Sequence, residues 1–383
     1  MDRLPGGFGQ IDFLIGVGGF AVFCPKRPDG LSGLPPVGVE ISHNFELLPI
    51  IDQTFYMKQI TIVVPNGWAD LASIMGSQEI LNRANEHWKK MGNPSAVTIH
   101  IAGFVQELQL NLGFFSVHPE DITAIAKSDL VIIPSVSHYH HDIAKVNRAL
   151  VWWIREQYKN GAEIASICTG AFLLAATGLL DGKTCSTHWV AATDFRRLYP
   201  NIRLQTDQLI CADQGIYTNG GAYSFLNLIL FLIEKYFDRE TAVVCAKMYQ
   251  IDIARTSQSP FHIFEVQKDH GDEMIGRAQT YIEENLSEKI SFEELASELA
   301  VSRRNFDRRF LKATGNTPVE YLQRAKVEVA KNALEQGRKT VFEVMYDVGY
   351  SDDKAFRVVF KKITGLSPLA YRAKFMGESV LYP

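Results

Sequence analysis

The sequence predicts an α/β doubly wound, flavodoxin-like domain with a parallel sheet, followed by an all-α domain with two helix-turn-helix units. Up to about residue 250, near-continuous apolar strands alternate with amphipathic helices. Beyond about residue 272 a short helix, a tight turn and a charged second helix occur twice. The length of 383 residues is enough for two domains with a core each.

Residues 1–56 are dense in Gly and Pro and show no lasting helical or strand period. We predict a disordered extension, or a start codon assigned too early with Met57 as the true start. The apolar run Phe13–Cys24 is shorter than the roughly 20 residues of a membrane span and lacks the basic leader of a signal peptide. N-terminal sequencing of the native protein distinguishes these cases.

The five cysteines are widely spaced and include no Cys-x-x-Cys pair. We therefore expect no disulfide framework, no structural zinc site and a reducing, cytoplasmic location. We also expect no other metal and no cofactor, and, because the apolar runs are short, no membrane partner. Glu273–Pro383 holds 18 Lys and Arg against 16 Asp and Glu, whereas the rest of the chain holds 21 against 27. A basic tail domain behind an acidic body favours an anionic partner for the tail.

The α/β domain is expected at residues 57–250. Its first strands and helices follow from apolar runs and from helical spacing of apolar residues. The predicted elements are the strands Gln59–Pro65, Val97–Ile101 and Asp129–Pro134 and the helices Ala69–Lys90 and Ala144–Lys159. Ligands of such sheets lie beyond the carboxyl ends of the strands, where Cys168 and the loop after Pro134 are expected.

The stretch 162–170 has the form of a nucleophile elbow. An apolar strand ends at Cys168, and Thr169-Gly170 then open a helix. The free N–H groups and the positive dipole end of that helix favour a thiolate at Cys168. This pattern, taken alone, predicts a cysteine hydrolase.

Histidines on both sides of the elbow offer two interpretations each. His138, His140 and His141 form either a metal or anion site, or a polar loop before a helix that Asp142 caps; we favour the loop. His188 either serves as the base beside Cys168 or packs at the start of the helix Ala191–Tyr199. The residues alone leave the two roles of His188 open.

The last part of this domain has two short strands, a turn and a long apolar helix. The strands are Gln208–Ala212 and Ile216–Thr218, and the helix is Tyr223–Tyr236, which we expect to be buried or part of a dimer contact. Residues 251–271 mix Ser, Gln, Pro, Asp and His without a period, and we predict that they form a linker.

The run SICTGAFLLAATGLLDGKTCSTHW, Ser166–Trp189, resembles the amidase-like domain of GlxA-type transcriptional regulators, within the ThiJ/PfpI and class I glutamine amidotransferase-like superfamily. The resemblance covers about residues 58–255 and includes the spacing of Cys168 and His188. Enzymes of the superfamily commonly have histidine after the cysteine, where Thr169 stands here. They also carry a Gly-Gly loop that supplies oxyanion N–H groups, where this chain has Pro134-Ser-Val-Ser. Each such donor is typically worth roughly 3–4 kcal/mol of barrier.

The C-terminal domain is expected at residues 272–376. After a helix at Met274–Leu286, Ser291 is the predicted N-cap of Phe292–Leu299, and a turn leads to Arg303–Thr314. In that second helix Phe306, Phe310 and Ala313 share one face, and Arg304 and Arg308 point the opposite way. The opposite face is either simply solvated or binds DNA.

The same pattern returns after a long helix, Pro318–Gln336. Thr340 caps Val341–Asp347, a turn follows, and Asp352–Thr364 is the second recognition-like helix. Two recognition helices joined by one rigid helix would enter major-groove segments about 34 Å apart. The repeat favours DNA binding over a solvated face.

Two segments, SRRNFDRRFLKATGNTPVEYLQRAKVEVAKNALE and VGYSDDKAFRVVFKKITGLSPLAYR, resemble the AraC/XylS-type DNA-binding domain, most specifically over Phe356–Arg372. The resemblance spans about residues 272–374 and implies a sequence-specific transcription factor that binds double-stranded DNA. We further expect a homodimer formed through the amidase-like domain, a small-molecule effector bound by that domain, and contact with RNA polymerase.

These observations combine into one leading hypothesis, a cytoplasmic transcriptional regulator with an effector near Cys168. The expected effector-binding residues are Cys168, Thr169, His188, Ser135 and His138. The expected base contacts are Arg303, Arg304, Asp307, Arg308, Asp353, Lys354 and Arg357. The expected phosphate contacts are Arg309, Lys312, Lys361 and Lys362.

Two alternatives stay open. The first is a Cys-His amidase or deglycase fused to a DNA-binding module, with Cys168 as nucleophile and His188 as base. The second is a redox sensor in which oxidation of Cys168 alters DNA affinity, with Cys185 or Cys211 as the approaching thiol. We expect no catalysis, because the histidine after the cysteine and the glycine pair are missing.

Overall fold

The computed structural model describes residues 57–94, 96–110, 113–136, 143–266, 268 and 270–376. The expectations for residues 1–56 and for His138, His140 and His141 lie outside these ranges. The elements up to the elbow are β1 Lys58–Val64, α1 Leu71–Lys90, β2 Val97–Gly103, β3 Leu108–Leu110, β4 Phe115–Val117, β5 Glu120–Asp121, β6 Leu130–Ile133, α2 Ile143–Val146, α3 Arg148–Lys159 and β7 Glu163–Ile167.

The elements after the elbow complete the α/β domain. They are α4 Ala171–Ala176, β8 Thr184–Cys185, α5 Ala192–Leu198, β9 Arg203–Leu204, β10 Ile210–Asp213, β11 Ile216–Asn219, α6 Phe225–Tyr236 and α7 Arg239–Met248. Among the described residues, seven strands form one sheet in the order β10, β11, β7, β6, β1, β2 and β5. Neighbouring strands are parallel except for β10 and β11. The predicted doubly wound parallel sheet is therefore confirmed.

Both faces of the sheet are covered. In β1, Ile60 and Ile62 belong to the core cluster that contains α1, α6 and α7. Val63 belongs to the cluster on the other face, with Trp153 of α3 and Phe172 of α4. Since successive side chains of a strand point to opposite faces, a strand buried on both sides must be apolar throughout. This explains why the strands were recognisable as continuous apolar runs.

The helix predicted at Ala144–Lys159 is divided into α2 and α3 by Asn147. The Asn147 side chain is buried and accepts a hydrogen bond from the backbone N–H of Asn66 at 2.7 Å. Its amide group donates to the carbonyls of Asn66 at 3.1 Å and Ile143 at 3.0 Å. An Asn side chain that bonds to backbone groups competes with the helix, and here it ties the loop after β1 to the helix start.

The short strands β3, β4, β5, β8 and β9 and the helix α7 were not predicted. β3 pairs with β4, and β8 pairs with β9, in small separate sheets. Strands of two or three residues are too short for a hydrophobic period, so periodicity does not reveal them. Helix α7 begins at Asp238, whose carboxylate accepts a hydrogen bond from the Thr241 N–H at 2.7 Å.

The remaining helices form the C-terminal domain; all but the last, α14, which was not predicted, have the predicted order and nearly the predicted bounds. They are α8 Glu273–Glu284, α9 Phe292–Glu298, α10 Arg303–Thr314, α11 Pro318–Gln336, α12 Val341–Asp347, α13 Asp353–Thr364 and α14 Pro368–Phe375. Within the described part of the chain, no helix combines the length and the apolar character that a membrane span requires.

The C-terminal domain has two similar halves. The first core contains Phe306, Phe310 and Tyr321, and the second contains Phe356, Phe360 and Tyr371. The tyrosine hydroxyl donates to a glutamate in each half, to Glu283 at 2.7 Å and to Glu335 at 2.6 Å. The duplicated packing confirms two helix-turn-helix units, α9 with α10 and α12 with α13, connected by α11.

Candidate functional site

Cys168 lies where β7 turns into α4. Its backbone is left-handed, with a φ of 54°, and a short 3₁₀ turn at Cys168–Gly170 precedes α4. The Cys168 N–H donates to Oδ1 of Asn219 at 3.1 Å, and its carbonyl accepts from the Thr187 hydroxyl at 2.9 Å. A non-glycine residue in this conformation is strained and needs such fixed partners. The predicted elbow geometry is therefore present.

Gly170 allows α4 to start directly against the end of β6. A Cβ atom on Gly170 would lie 2.5 Å from the Pro134 carbonyl oxygen and 3.0 Å from that of Ile133. These are backbone atoms of the neighbouring strand, so a side chain here would push the elbow away from the sheet. The close approach brings the loop after β6 into contact with the elbow.

Ser135 and Thr169 meet beside Cys168. The Thr169 hydroxyl donates to the Val136 carbonyl at 2.5 Å and accepts from the Val136 N–H at 3.1 Å. Ser135 Oγ lies 2.9 Å from Thr169 Oγ1, within hydrogen-bond distance. The structure thus brings together three of the expected effector-binding residues, Ser135, Cys168 and Thr169.

The thiol of Cys168 is buried, with 4% of the residue exposed. Burial raises the pKa of this thiol above its ordinary value, and hydrogen bonds with Ser135 and Thr169 oppose the increase without cancelling it. The Asp70 carboxylate adds to the increase. The backbone N–H of Thr169 does lower the pKa, in the direction that the helix start predicts, but desolvation is larger and sets the net direction.

His188 holds a structural position at the start of a 3₁₀ turn. Its Nδ1 accepts the N–H of Val190 at 3.2 Å, and its ring lies 5.5 Å from that of Trp189. The Trp189 ring in turn contacts His262 edge-on, with centroids 5.0 Å apart. The packing role, one of the two roles left open, is seen; a role as base stays a prediction.

Residues 251–266, here called the connector, are attached to the elbow by Gln258, which the sequence did not single out. Gln258 is 1% exposed, and its amide group donates to the Thr187 carbonyl at 3.0 Å and the Gln208 carbonyl at 3.3 Å. Thr187 is the residue that bonds to Cys168. In a stretch rich in Ser and Gln, no local signal distinguishes the one glutamine that is buried.

The connector also contacts the C-terminal domain. The His262 carbonyl accepts a hydrogen bond from Lys331 at 2.6 Å, and the Phe264 N–H donates to Glu328 at 3.0 Å. Further along, the Phe264 ring packs against Tyr321, with centroids 5.2 Å apart. A segment predicted as a linker is thus bonded to the elbow loop at one end and to α11 at the other.

In α10 the predicted DNA-binding residues differ in exposure and pairing. Arg304 and Arg308 are exposed, and Arg308 donates to the Asn305 side chain at 3.0 Å. Arg303 bonds to Asp307 at 2.8 Å and to Glu293 of α9 at 2.9 Å. Lys312 is exposed near the end of the helix. The outward face therefore presents Arg304 and Arg308, whereas Arg303 holds α10 against α9.

Arg309 forms a bidentate ion pair with Asp272, with N–O distances of 2.7 and 3.0 Å. Asp272 is the N-cap of α8, and the Arg309 guanidinium holds the pKa of its carboxyl below the ordinary value. This contact fastens α10 to the start of the domain. The phosphate contact expected from Arg309 stays a prediction, and it would require Arg309 to bind phosphate beside Asp272.

In α13 the acidic residue of the intrahelical ion pair comes first, whereas in α10 the basic residue comes first. Asp353 precedes Arg357 by one turn, and both of its carboxylate oxygens lie 2.7 Å from Arg357 Nε, whose single N–H they share. The corresponding pair in α10 is Arg303 followed by Asp307. Lys354, Lys361 and Lys362 are exposed. The two helices thus share a scaffold but present different side chains, which is the property that two different half-sites require.

Comparisons with known proteins agree with both domains. The DJ-1/PfpI family matches residues 106–235, and a helix-turn-helix domain family matches residues 295–374. The transcriptional regulator GbdR of Pseudomonas aeruginosa is 27% identical over 230 residues, which are 58% of this chain and 61% of that protein. The chain thus aligns with less than two thirds of GbdR.

Two further relatives are also named as transcriptional regulators. The regulator ArgR of Pseudomonas aeruginosa is 25% identical over 62% of this chain and 72% of its own length. The regulator GlxA of Rhizobium meliloti is 25% identical over 58% of this chain and 68% of its own. The structure of DJ-1beta from Drosophila melanogaster aligns with 50% of this chain and 99% of that chain, at 18% identity and a TM-score of 0.42. The two family matches show that the chain carries a DJ-1/PfpI family domain followed by an AraC-type helix-turn-helix domain, the two domains expected from its resemblance to GlxA-type regulators.

Proposed function

We propose that this protein is a sequence-specific DNA-binding transcription factor whose α/β domain senses a small molecule. The observation that carries the proposal is the duplicated helix-turn-helix scaffold, in which α10 and α13 each present an exposed, cationic face. The names of the relatives as transcriptional regulators support it. Under this proposal, Arg304, Arg308, Lys354 and Arg357 contact bases, and Lys312, Lys361 and Lys362 contact phosphates.

Four of the expected DNA-binding residues also form ion pairs within the domain: Arg303, Asp307, Asp353 and Arg309. Each is held in an ion pair within the domain, and ion-paired side chains are fixed in direction. Arg303, Asp307 and Asp353 would read bases while the pair orients them, and Arg309 would contact phosphate from its position beside Asp272. The proposal further includes a homodimer, contact with RNA polymerase and a cytoplasmic location.

The elbow is proposed as an effector pocket without catalysis. Burial keeps the Cys168 thiol protonated, and Nδ1 of His188 is occupied by the Val190 N–H. A thiol in this state is a poor nucleophile, but Ser135, Thr169 and Cys168 provide hydroxyl and thiol groups for a polar ligand. His138 belongs to the same proposed pocket, in a loop outside the described residues.

Selection of bound fragments from random double-stranded DNA tests the proposal, followed by affinity measurements at several salt concentrations. We expect one enriched motif with two half-sites about one helical turn apart. The logarithm of affinity should fall linearly with the logarithm of salt concentration, since phosphate contacts release counterions. Failure to enrich any motif, with the chain folded by circular dichroism, would reject sequence-specific binding.

A further inference from the structure

A cavity of about 340 Å³ lies between the start of β10, one face of α6, the start of α7 and the connector. Its walls contain none of the residues expected at the elbow. Binding sites for small molecules typically have volumes of about 300–1,000 Å³, so this cavity suits a small ligand. It is therefore a candidate site separate from Cys168.

The interior of the cavity is mainly apolar. Leu230 and Ala242 are buried, and Ile253 of the connector is half-buried against the same core. At the rim, Arg239 and Glu234 form an ion pair at 2.6 Å and so satisfy each other. These walls favour a short apolar group over a polar one.

Arg255 is the charged group in this cavity that forms no close ion pair within the described residues; the Asp252 carboxylate acts on it from farther away and only partly offsets the lowering of its pKa by burial. Its guanidinium lies over the Phe261 ring, 4.3 Å from the centroid. Its Nε is buried and has no hydrogen-bond acceptor among the described residues, and no ion pair to Arg255 is formed in that part of the chain. Arginine stays charged in proteins and favours carboxylates, which accept from it with two oxygens.

We propose that the cavity binds a small monocarboxylate with a short apolar body. The carboxylate accepts hydrogen bonds from Arg255, and the apolar body packs against Leu230, Ala242 and Ile253. A carboxylate supplies the acceptor that Arg255 lacks, while the walls bury the hydrocarbon part. A neutral amide of the same shape fills the cavity but offers Arg255 one carbonyl acceptor and no charge, so its hydrogen bonding to Arg255 is weaker.

The site adjoins the contact between the two domains. The Phe261 ring that Arg255 covers also packs against Phe375 of α14, with centroids 5.5 Å apart, and lies 5.3 Å from the Lys374 ammonium. A ligand that moves Arg255 therefore changes how Phe261 packs against α14. An effect of the ligand on DNA binding is a further step, and it rests on the proposed function. The binding of the carboxylate does not rest on it.

Hexanoate and its neutral isostere hexanamide test the site on the full chain, by thermal shift and calorimetry. We expect hexanoate to bind about tenfold or more tightly than hexanamide. Arg255→Gln should remove this preference, and Arg197→Gln, which changes an exposed arginine of α5, should keep it. Cys168→Ala should keep it as well. Equal binding of the two probes, a preference for hexanoate that survives Arg255→Gln, or loss of the preference in Cys168→Ala would each overturn the proposal.

A second variant covers the case in which Arg255→Gln does not fold. Ala242→Leu narrows the cavity while Arg255 stays in place, so hexanoate should bind more weakly and acetate should be less affected. Unchanged hexanoate binding in folded Ala242→Leu would also reject the site. DNA affinity with and without hexanoate is measured separately. An unchanged DNA affinity would reject only the effect of the ligand on DNA binding, and not the carboxylate site.

Discussion

The ammonium group of Lys331 donates a hydrogen bond to the backbone carbonyl of His262 at 2.6 Å, and this bond joins the connector to the helix between the two DNA-binding units. Lys331 is 3% exposed and also pairs with Glu328 at 2.7 Å. Through the connector the same segment reaches Thr187 and the Cys168 turn. Lys331 therefore stabilises the contact between the two domains.

Replacement of Lys331 by Met should uncouple the domains. The variant leaves Glu328 without its cation and the His262 carbonyl without its donor, and we expect a loss of about 1–3 kcal/mol in the free energy of unfolding. All five tryptophans lie before residue 190, so tryptophan fluorescence reports the α/β domain and far-ultraviolet circular dichroism reports both domains. The two urea transitions should separate in the variant.

Lys159→Met is the matched control for this experiment. Lys159 pairs with Glu156 at 2.7 Å on α3, but its side chain is 53% exposed. Exposed pairs contribute little, so the loss should stay below about 1 kcal/mol. Coincident transitions in Lys331→Met, with stability equal to that of the control, would show that the domains are not coupled by this bond.

The stability of the protein should fall between about pH 6.5 and pH 4 because of His262. Burial lowers the pKa of His262 to about 4, and the cations of Arg324, Lys331, Arg196 and His188 add to the effect. In the unfolded chain the imidazole takes up its proton near pH 6.5. The unfolded state thus binds more protons in this interval, and stability is complete above it and decreases as the pH falls.

The His262 contribution is at most about 3 kcal/mol, and partial exposure of the ring reduces it. Urea unfolding at about pH 7.5 and pH 4.5 measures it in the native chain and in His262→Asn, which cannot gain the charge. The variant should lose less stability between the two conditions. An equal loss in both proteins would mean that His262 titrates normally.

Gly349 in the turn of the second unit should not tolerate a side chain. It has a φ of 71°, and a Cβ atom would lie 2.3 Å from the Ser287 carbonyl oxygen. Gly349→Ala should cost about 3 kcal/mol or more, from backbone strain together with the collision. Gly276→Ala in α8 is the control, because its Cβ meets nothing within 4 Å. The control should gain about 0.5–1 kcal/mol. Equal effects of the two substitutions on urea unfolding would contradict this.

The elements of both domains were predictable where local periodicity sets them. The apolar runs of β1, β6 and β7 identify buried strands, and the spacing of Phe306 and Phe310 gives the inner face of α10. The docking of the connector was not predictable, because it depends on where Gln258 and His262 meet other elements. The division at Asn147 likewise results from a contact with the distant Asn66.

At the elbow, too, the local structure was predictable from the sequence, whereas a property that depends on tertiary packing was not. The strand, the cysteine and the following helix are recognisable in order, so the turn at Cys168 was predictable. The state of the thiol was not, since its pKa depends on how deeply the residue is buried. Spacing places a residue along an element, whereas desolvation is a property of the packed molecule.

The alkylation rate of Cys168 should therefore keep rising through about pH 9, since burial raises the pKa of its thiol. Iodoacetamide labelling of the native chain, read by peptide mass spectrometry, measures the rate against pH. The urea-unfolded chain is the reference, and its thiols should titrate near pH 8.5. A native rate that levels off below about pH 7 would instead favour an activated thiolate, and with it the Cys-His enzyme.

Arg304 should read bases, because it is exposed on the outer face of α10 and no ion pair in the described part of the chain holds it. Arg304→Ala should cost about 1–3 kcal/mol of binding free energy on the selected motif and relax the preference at one base position. Lys362→Ala removes an expected phosphate contact, so it should weaken binding to all sequences alike and reduce the slope of affinity against salt.

Fluorescence anisotropy on the selected motif and on a scrambled duplex separates the two kinds of contact. Arg197→Ala, an exposed arginine of α5 paired with Asp194 at 2.8 Å, controls for the loss of one positive charge and should leave both affinities unchanged. If Arg304→Ala weakens the motif and the scrambled duplex equally, Arg304 contacts the phosphate backbone, because a contact to a base edge is lost only where that base is present.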